Sequence, residues 1–446
     1  MSSTIVGPLP RKMRQSLSGD SLHQTLRSGF SRIPDHRDAP EISLTDALMS
    51  AYAMFSLKDP SLLAFDKRRQ DPTDNFRSIY GIDHVPCDSQ MRTILDPTDP
   101  EHLRPSYDEL FHKLQRAKVL EGYVYFDGCY LVALDGTKYF SSKVVHCPCC
   151  TVTNHRGDSV TYSHQLLGAA IVHPDFKVVI PLMPEPIIKQ DGCVKNDCER
   201  NAARRWLINF RRAHPFLKVI VIEDALSSNA PHVRDLRKAK THFILGVKPG
   251  DHAFLFRHIH EADEANRTLT LSQIDPQTGI LHHFRWYISL PLNEANSNEL
   301  VNVLDYWEVH PDGKLQHFSW ITDLRLTPET VYPIMRGGRA RWKIENETFN
   351  TLKNQGYRLE HNFGHGKKNL SVVFALLMVL AFFVDQIQQL CCPLFQAALA
   401  KMQGKCYLWD RIRSYFQTLL FSSFSDLLKT IIHGIERQRP VLKDSS

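Results

Sequence analysis

Three carboxylates stand where chemistry could be done. Asp135 closes the apolar run in LVALDGTKYF, Asp224 closes another in VIVIEDALSSN, and Glu345 lies in RARWKIENETFNTLK. The last stretch, Arg339 to Lys353, reads as one helix. Arg341, Glu345, Phe349 and Leu352 recur at i, i+4, i+8 and i+11 and so share a face. A carboxylate on a core-facing stripe is costly unless it has a partner or a task. Arg341, one turn earlier, offers the partner in the form of a buried ion pair. The two aspartates offer the task. Hard divalent cations take oxygen ligands, and a pair of them activates water and stabilises the leaving oxygen in phosphodiester cleavage. Glu347 points away from this face and has Lys343 as a surface partner.

The elements that must position these groups follow from the pattern around them. GYVYFDG and CYLVALDGTKYF read as a hairpin turning at Asp127-Gly128, with Asp135 at the end of its second strand. LLGAAIVHPDFKVVIP continues the meander as two strands. FLKVIVIEDA reads as a buried strand of the parallel kind, and Asp224 stands just past its end, the edge where ligands sit in open α/β sheets. Glu223 faces the other way. Between them, DCERNAARRWLINFRRAH reads as a helix whose Ala202, Ala203, Trp206 and Phe210 form the apolar stripe. Arg200, Arg204 and Arg211 form a second stripe, which is either a phosphate contact or a solvated face. HVRDLRKAK and THFILGVKPGD follow as a helix and a strand. Residues 252–325 then change to alternating, aromatic-rich segments (LTLSQ, HHFRWYISL, NVLDYWEVH, QHFSWITDL), a β-rich insertion before Glu345 whose tryptophans are expected mainly in a core.

As an ordered set, ALDGTKYF, IEDALSSN and RxRWxIE followed by FNTLK resemble the DDE transposases of bacterial insertion sequences, over roughly residues 120–385. The match is to the class whose ribonuclease-H-like core is interrupted by a β-rich insertion before the glutamate. The resemblance implies an α/β fold: a ribonuclease-H-like mixed-sheet core, with the insertion and an N-terminal helical domain. It implies Asp135, Asp224 and Glu345 as catalytic ligands of Mg2+ or Mn2+, and Arg341 and Lys353 as phosphate-holding groups, with Arg204 and Arg211 as further candidates for DNA. In that family an arginine stands four residues before the glutamate, as Arg341 does. A lysine stands seven after it, whereas here position seven is Leu352 and Lys353 comes one later, as if one residue were inserted near Asn346; Glu347 therefore stays as an alternative to Glu345. The implied activity is binding of element ends, strand cleavage and joining to target DNA, by a homo-oligomer on DNA. A catalytically inactive DNA-binding descendant and a nuclease without joining activity share the same features.

The implied organisation is an N-terminal stretch 1–40, loosely ordered apart from a short helix within Arg11–Phe30; a helical region 41–120; core residues 121–251 and 326–392 on either side of the insertion; and a helical tail 393–446. The helical region 41–120 is either a DNA-binding module or a packing domain. In HCPCC, Cys147 and Cys150 have the spacing of a zinc pair, which Cys193 and Cys198, or His155 and His164, could complete; ordinary reduced thiols are the competing reading. A net charge of +6 suits a polyanionic partner without requiring one, and ten cysteines in no disulfide framework suit a reducing, cytoplasmic setting near the nucleoid. The apolar run Leu370–Val384 is short for a bilayer and reads as a core helix, so no membrane partner is expected.

Overall fold

The computed structural model describes residues 10–70, 74–157, 159–188 and 198–434. It is a mixed α/β protein with two compact units, Lys118–Thr351 and a second built from Met1–Ala117 with Leu352–Ser446.

The first unit holds one mixed sheet. Its strands are β1 Val124–Phe126, β2 Cys129–Ser142, β3 Thr151–Asn154, β4 Val160–Val172, β5 Ile180–Ile187, β6 Val219–Glu223, β7 His242–Val247, β8 Leu269–Ile274, β9 Leu281–Asn293, β10 Asn296–Val309 and β11 Leu315–Thr322. They run in the order β3-β4-β2-β6-β7-β11-β10-β9-β8, with β1 paired to β2 and β5 to β4. Only β2-β6 and β6-β7 are parallel. The hairpin β1-β2 turns through Asp127 (φ 49°) and Gly128 (φ 72°), a left-handed pair that aspartate and glycine tolerate. The four aromatic-rich segments of the insertion are β8 to β11, preceded by the helix Ala253–Glu264. They do not form a separate sheet: β11 pairs with β7, so the insertion widens the main one. Trp286 and Trp320 are buried, and Trp307 stacks on His317 with ring centroids 4.5 Å apart.

The second unit is helical. Residues 11–30, where one short helix was expected within a loose stretch, form the two helices Arg11–Ser16 and Gly19–Phe30, and Leu22, Leu26 and Phe30 are wholly buried. Their i, i+4 stripe outweighs the polar composition around it. The helix Leu44–Ser56 has almost every residue buried, so it packs rather than presenting a face to a DNA groove. The tail helix Phe424–His433 is tied to the N-terminal region, where Asp20 accepts the backbone N–H of Phe424 at 2.6 Å. The helix Leu370–Cys391 is, at 22 residues, long and apolar enough to cross a membrane, but it is buried inside the protein. Burial, not shortness, marks it as a core helix.

One charge pair anchors this helix. Lys58 Nζ lies 2.6 Å from Asp385 Oδ2, and Tyr357 donates its hydroxyl to the same oxygen. The ammonium also lies 4.1 Å from the ring centres of Tyr357 and of Trp409. Burial lowers the Lys58 pKa and raises that of Asp385, and each ion opposes the other's shift. Asp385→Ala, which strands the ammonium, is expected to cost roughly 3–5 kcal/mol in urea unfolding, and the apolar double variant Lys58→Met/Asp385→Leu to recover most of it. A loss under about 1 kcal/mol for Asp385→Ala would show that water reaches the pair.

Candidate active site

Strand register sets the first two carboxylates side by side. The parallel ladder pairs Tyr130 with Val219 and runs to Ala133 with Ile222. Carried two residues further, it brings Asp135 level with Asp224, just past the end of β6. Asp135 does not end its strand, as the sequence suggested. It sits in the middle of β2, which runs on to Ser142 because its other edge is paired with β4 throughout. Asp224 leaves the sheet and accepts the N–H of Leu226 at 3.0 Å, capping a short turn. Glu223 faces the opposite side, where its buried carboxylate meets His232 Nε2 at 2.9 Å.

Glu345 arrives on a helix that is not the regular one expected. The helix Val331–Arg339 ends before it, and Ile344–Phe349 is a π-helical segment continuing into the α-helix Asn350–Asn354. Ile344, Thr348 and Phe349 are its buried residues, and it packs on β2 and β4. Gly168, the partner of Asp135 on β4, makes room for this. A Cβ there would stand 2.6 Å from the Phe349 ring. The surface pair expected between Lys343 and Glu347 does not form among the described residues; the i, i+4 ion pair of this stretch is Arg341 with Glu345.

Arg341 joins the parts. Its Nη1 lies 3.0 Å from Asp135 Oδ2 and 2.7 Å from Glu345 Oε1, so one guanidinium bridges the strand carboxylate and the helix carboxylate. The arginine selects Glu345, not Glu347. Asp135 nevertheless carries an uncompensated burden. Burial pushes its pKa up to about 7; Arg341 opposes this, while Glu345 and Asp224 add to it. One cation among three acids leaves a surplus of negative charge on hard oxygen donors, the condition a divalent ion meets.

A fourth carboxylate escaped the sequence reading. Glu199, in the first turn of the helix Glu199–Ala213, lies against Gly136, where a Cβ would come within 2.1 Å of its Oε1. Burial raises its pKa, and Asp224 and then Glu223 raise it further. An acid at a helix start looks in sequence like ordinary dipole compensation, so nothing local marks it.

The basic candidates separate. Arg211 is engaged by the protein itself, donating to the carbonyls of Ala239 and Leu217 at 2.6 Å each and of Lys240 at 3.1 Å. It clamps its helix to the chain around it and is not free for phosphate. Arg204 is exposed, 3.9 Å from Asp235. Lys353 belongs to the helical unit and pairs with Glu360 at 2.8 Å. Of the proposed zinc ligands, Cys147 and Cys150 are joined by His164, not by His155, whose Nε2 meets Thr161 Oγ1 at 3.0 Å. Cys198 is exposed, and Cys193 lies outside the described residues. No family model and no curated protein matches the sequence.

Two outcomes follow. Since the folded protein holds a proton on Asp135 up to about pH 7 and the unfolded chain only to its ordinary value of 3.8, stability should fall as pH rises between these values. Asp135→Asn should therefore melt above wild type at pH 8 in magnesium-free buffer and converge with it toward pH 4; parallel melting curves at both pH values would refute the assignment. Gly168→Val should push the Phe349 ring off β4 and cost about 1–3 kcal/mol, whereas an unchanged unfolding midpoint would show that the π segment is not seated there.

Proposed function

We propose that this protein is a DNA transposase of the DDE type, with a ribonuclease-H-like core, which binds the ends of its element, cleaves strands and joins them to target DNA. The observation that carries the reading is the bridge of Arg341 between Asp135 and Glu345, with Asp224 level with Asp135 on the neighbouring strand. It links the three sequence motifs at one place. The order of the central strands, an antiparallel β4-β2 pair continued by parallel β6 and β7, is in keeping with such a core. So is the π segment. It accommodates one extra residue in a helix, and it lies where the spacing from Glu345 to Lys353 is one residue longer than in the family resembled.

Asp135, Asp224 and Glu345 would hold Mg2+ or Mn2+, with Glu199 close behind. Bound there, the ions would activate water for strand cleavage, or the freed 3′-hydroxyl for joining, and neutralise the leaving oxygen. Arg341 compensates the acids before the ions bind. With ions bound, its planar fork would be available to hold a phosphate in two hydrogen bonds. Asp135, protonated near neutrality, would have to give up its proton for a cation to bind, so cation affinity would fall below pH 7. DNA is the polyanion that the excess of basic residues would serve, and paired ends would call for a homo-oligomer.

The Arg341 bridge also suits a second reading. In a DNA-binding protein descended from such an enzyme, the guanidinium would neutralise the cluster permanently. The test uses linear DNA carrying the sequences that flank the protein's own coding region. Wild type is expected to cleave it only with Mg2+ or Mn2+ and to join the released 3′ ends. Asp135→Ala, Asp224→Ala and Glu345→Ala should each lose cleavage while keeping DNA affinity within a few-fold. Full cleavage by Glu345→Ala would move the role to Glu347. Cleavage without joining would leave a nuclease, and metal-independent binding alone would favour the second reading.

A further inference from the structure

Away from the carboxylates, three soft donors converge. Cys147, Cys150 and His164 are all buried, with His164 fully so. Cys147 Sγ lies 3.8 Å from Cys150 Sγ, and His164 Nε2 lies 3.4 Å from each sulfur. Neither cysteine is in a disulfide, which would bring the sulfurs to about 2.05 Å. Bond lengths of about 2.3 Å to sulfur and 2.0–2.1 Å to nitrogen around a tetrahedral Zn2+ require edges of about 3.8 Å between sulfurs and about 3.5 Å between sulfur and nitrogen. The three observed edges match that tetrahedron.

The chain around these donors is arranged to hold them. The turn at Pro148-Cys149 is closed by Cys150 N–H on the carbonyl of Cys147 at 3.1 Å. The N–H of Cys147 points back at Cys150 Sγ, 3.4 Å away. Such a contact stabilises a thiolate, and the Cys147 side chain together with this N–H lowers the Cys150 thiol against its burial. His164 comes from β4, where it pairs with Phe140 of β2, and its ring stacks on Tyr139 at 5.8 Å. Along β4 it stands four residues from Gly168, the partner of Asp135, so the cluster is about 13 Å along the strand from that level. It is a separate site, with sulfur and imidazole in place of carboxylate oxygen.

We propose that Cys147, Cys150 and His164 bind one Zn2+ that pins the connection between β2 and β3. The metal replaces core that this stretch lacks, since Val144 is 81% exposed and Val145 is 43% exposed. Zinc, a borderline-soft ion, selects these donors, while Mg2+ selects the carboxylates. The proposal is independent of the phosphodiester reading.

The experiment is metal analysis and X-ray absorption on the untagged full chain. Expected is about one zinc per chain, with two sulfur ligands near 2.3 Å and at least one imidazole; the same spectrum identifies the remaining donor. Cys147→Ser and His164→Ala should lose the zinc, and a zinc chelator should lower the melting temperature of wild type but not of these variants. Because such variants could fail to fold, Co2+ is also titrated into zinc-stripped wild type, where thiolate charge-transfer bands should appear at one equivalent. Wild type without zinc and without those bands would overturn the proposal. So would zinc retained by Cys147→Ser, or a mass two units low from a Cys147–Cys150 disulfide.

Discussion

The site depends on one guanidinium. Arg341 lies on the turn that leads into the π segment, yet its two ion pairs reach one carboxylate on the sheet and one on its own helix. Without it, Asp135 and Glu345 would face each other half-buried with nothing between them, and nothing would oppose the burial that raises the Asp135 pKa. With it, the two carboxyl groups come close, although Asp135 still holds its proton up to about pH 7. Each neighbouring feature serves this approach. The parallel register brings Asp224 level with Asp135. Gly168 lets Phe349 lie on β4. The π turn lets the helix bury Thr348 and Phe349 while Glu345 still reaches the arginine.

Three buried polar clusters show three ways of meeting the same desolvation cost. In the helical unit, Lys58 and Asp385 neutralise each other between aromatic rings, with the Tyr357 hydroxyl filling a further acceptor position. That cluster is complete, and its demand is structural. Around Cys147, two sulfurs and one imidazole nitrogen converge within 3.4–3.8 Å of one another. Around Asp135, acids outnumber the cation beside them, and the raised pKa of Asp135 records the imbalance. A completed pair supports a fold. The other two differ in their donors, oxygen in one and sulfur with imidazole in the other, and would suit different cations.

Some of this was legible in the sequence because it is local. The apolar runs before Asp135 and Asp224, the Asp127-Gly128 turn, the arginine four residues before Glu345 and the alternation of β8 to β11 all follow from periods of two and 3.6 residues. Other parts were hidden because they are pairings. That β2 continues past Asp135 depends on β4, and that the insertion joins the main sheet depends on β11 meeting β7. Arg211 looked like a phosphate contact because a sequence shows the charge on a helix, not the carbonyls folded around it.

By itself the sequence determined the donors: which oxygens, sulfurs and nitrogens exist, and on what kind of local element each is carried. The π turn at Ile344–Phe349 was not there to read. Tertiary structure alone decided which donors meet. It chose His164 over His155 for the thiols, Glu345 over Glu347 for Arg341, and placed Glu199 against Gly136. The physical reason is range. Propensity and periodicity act over a few residues, whereas charge compensation and ligation act over a few ångströms between residues that only strand register and helix packing bring together.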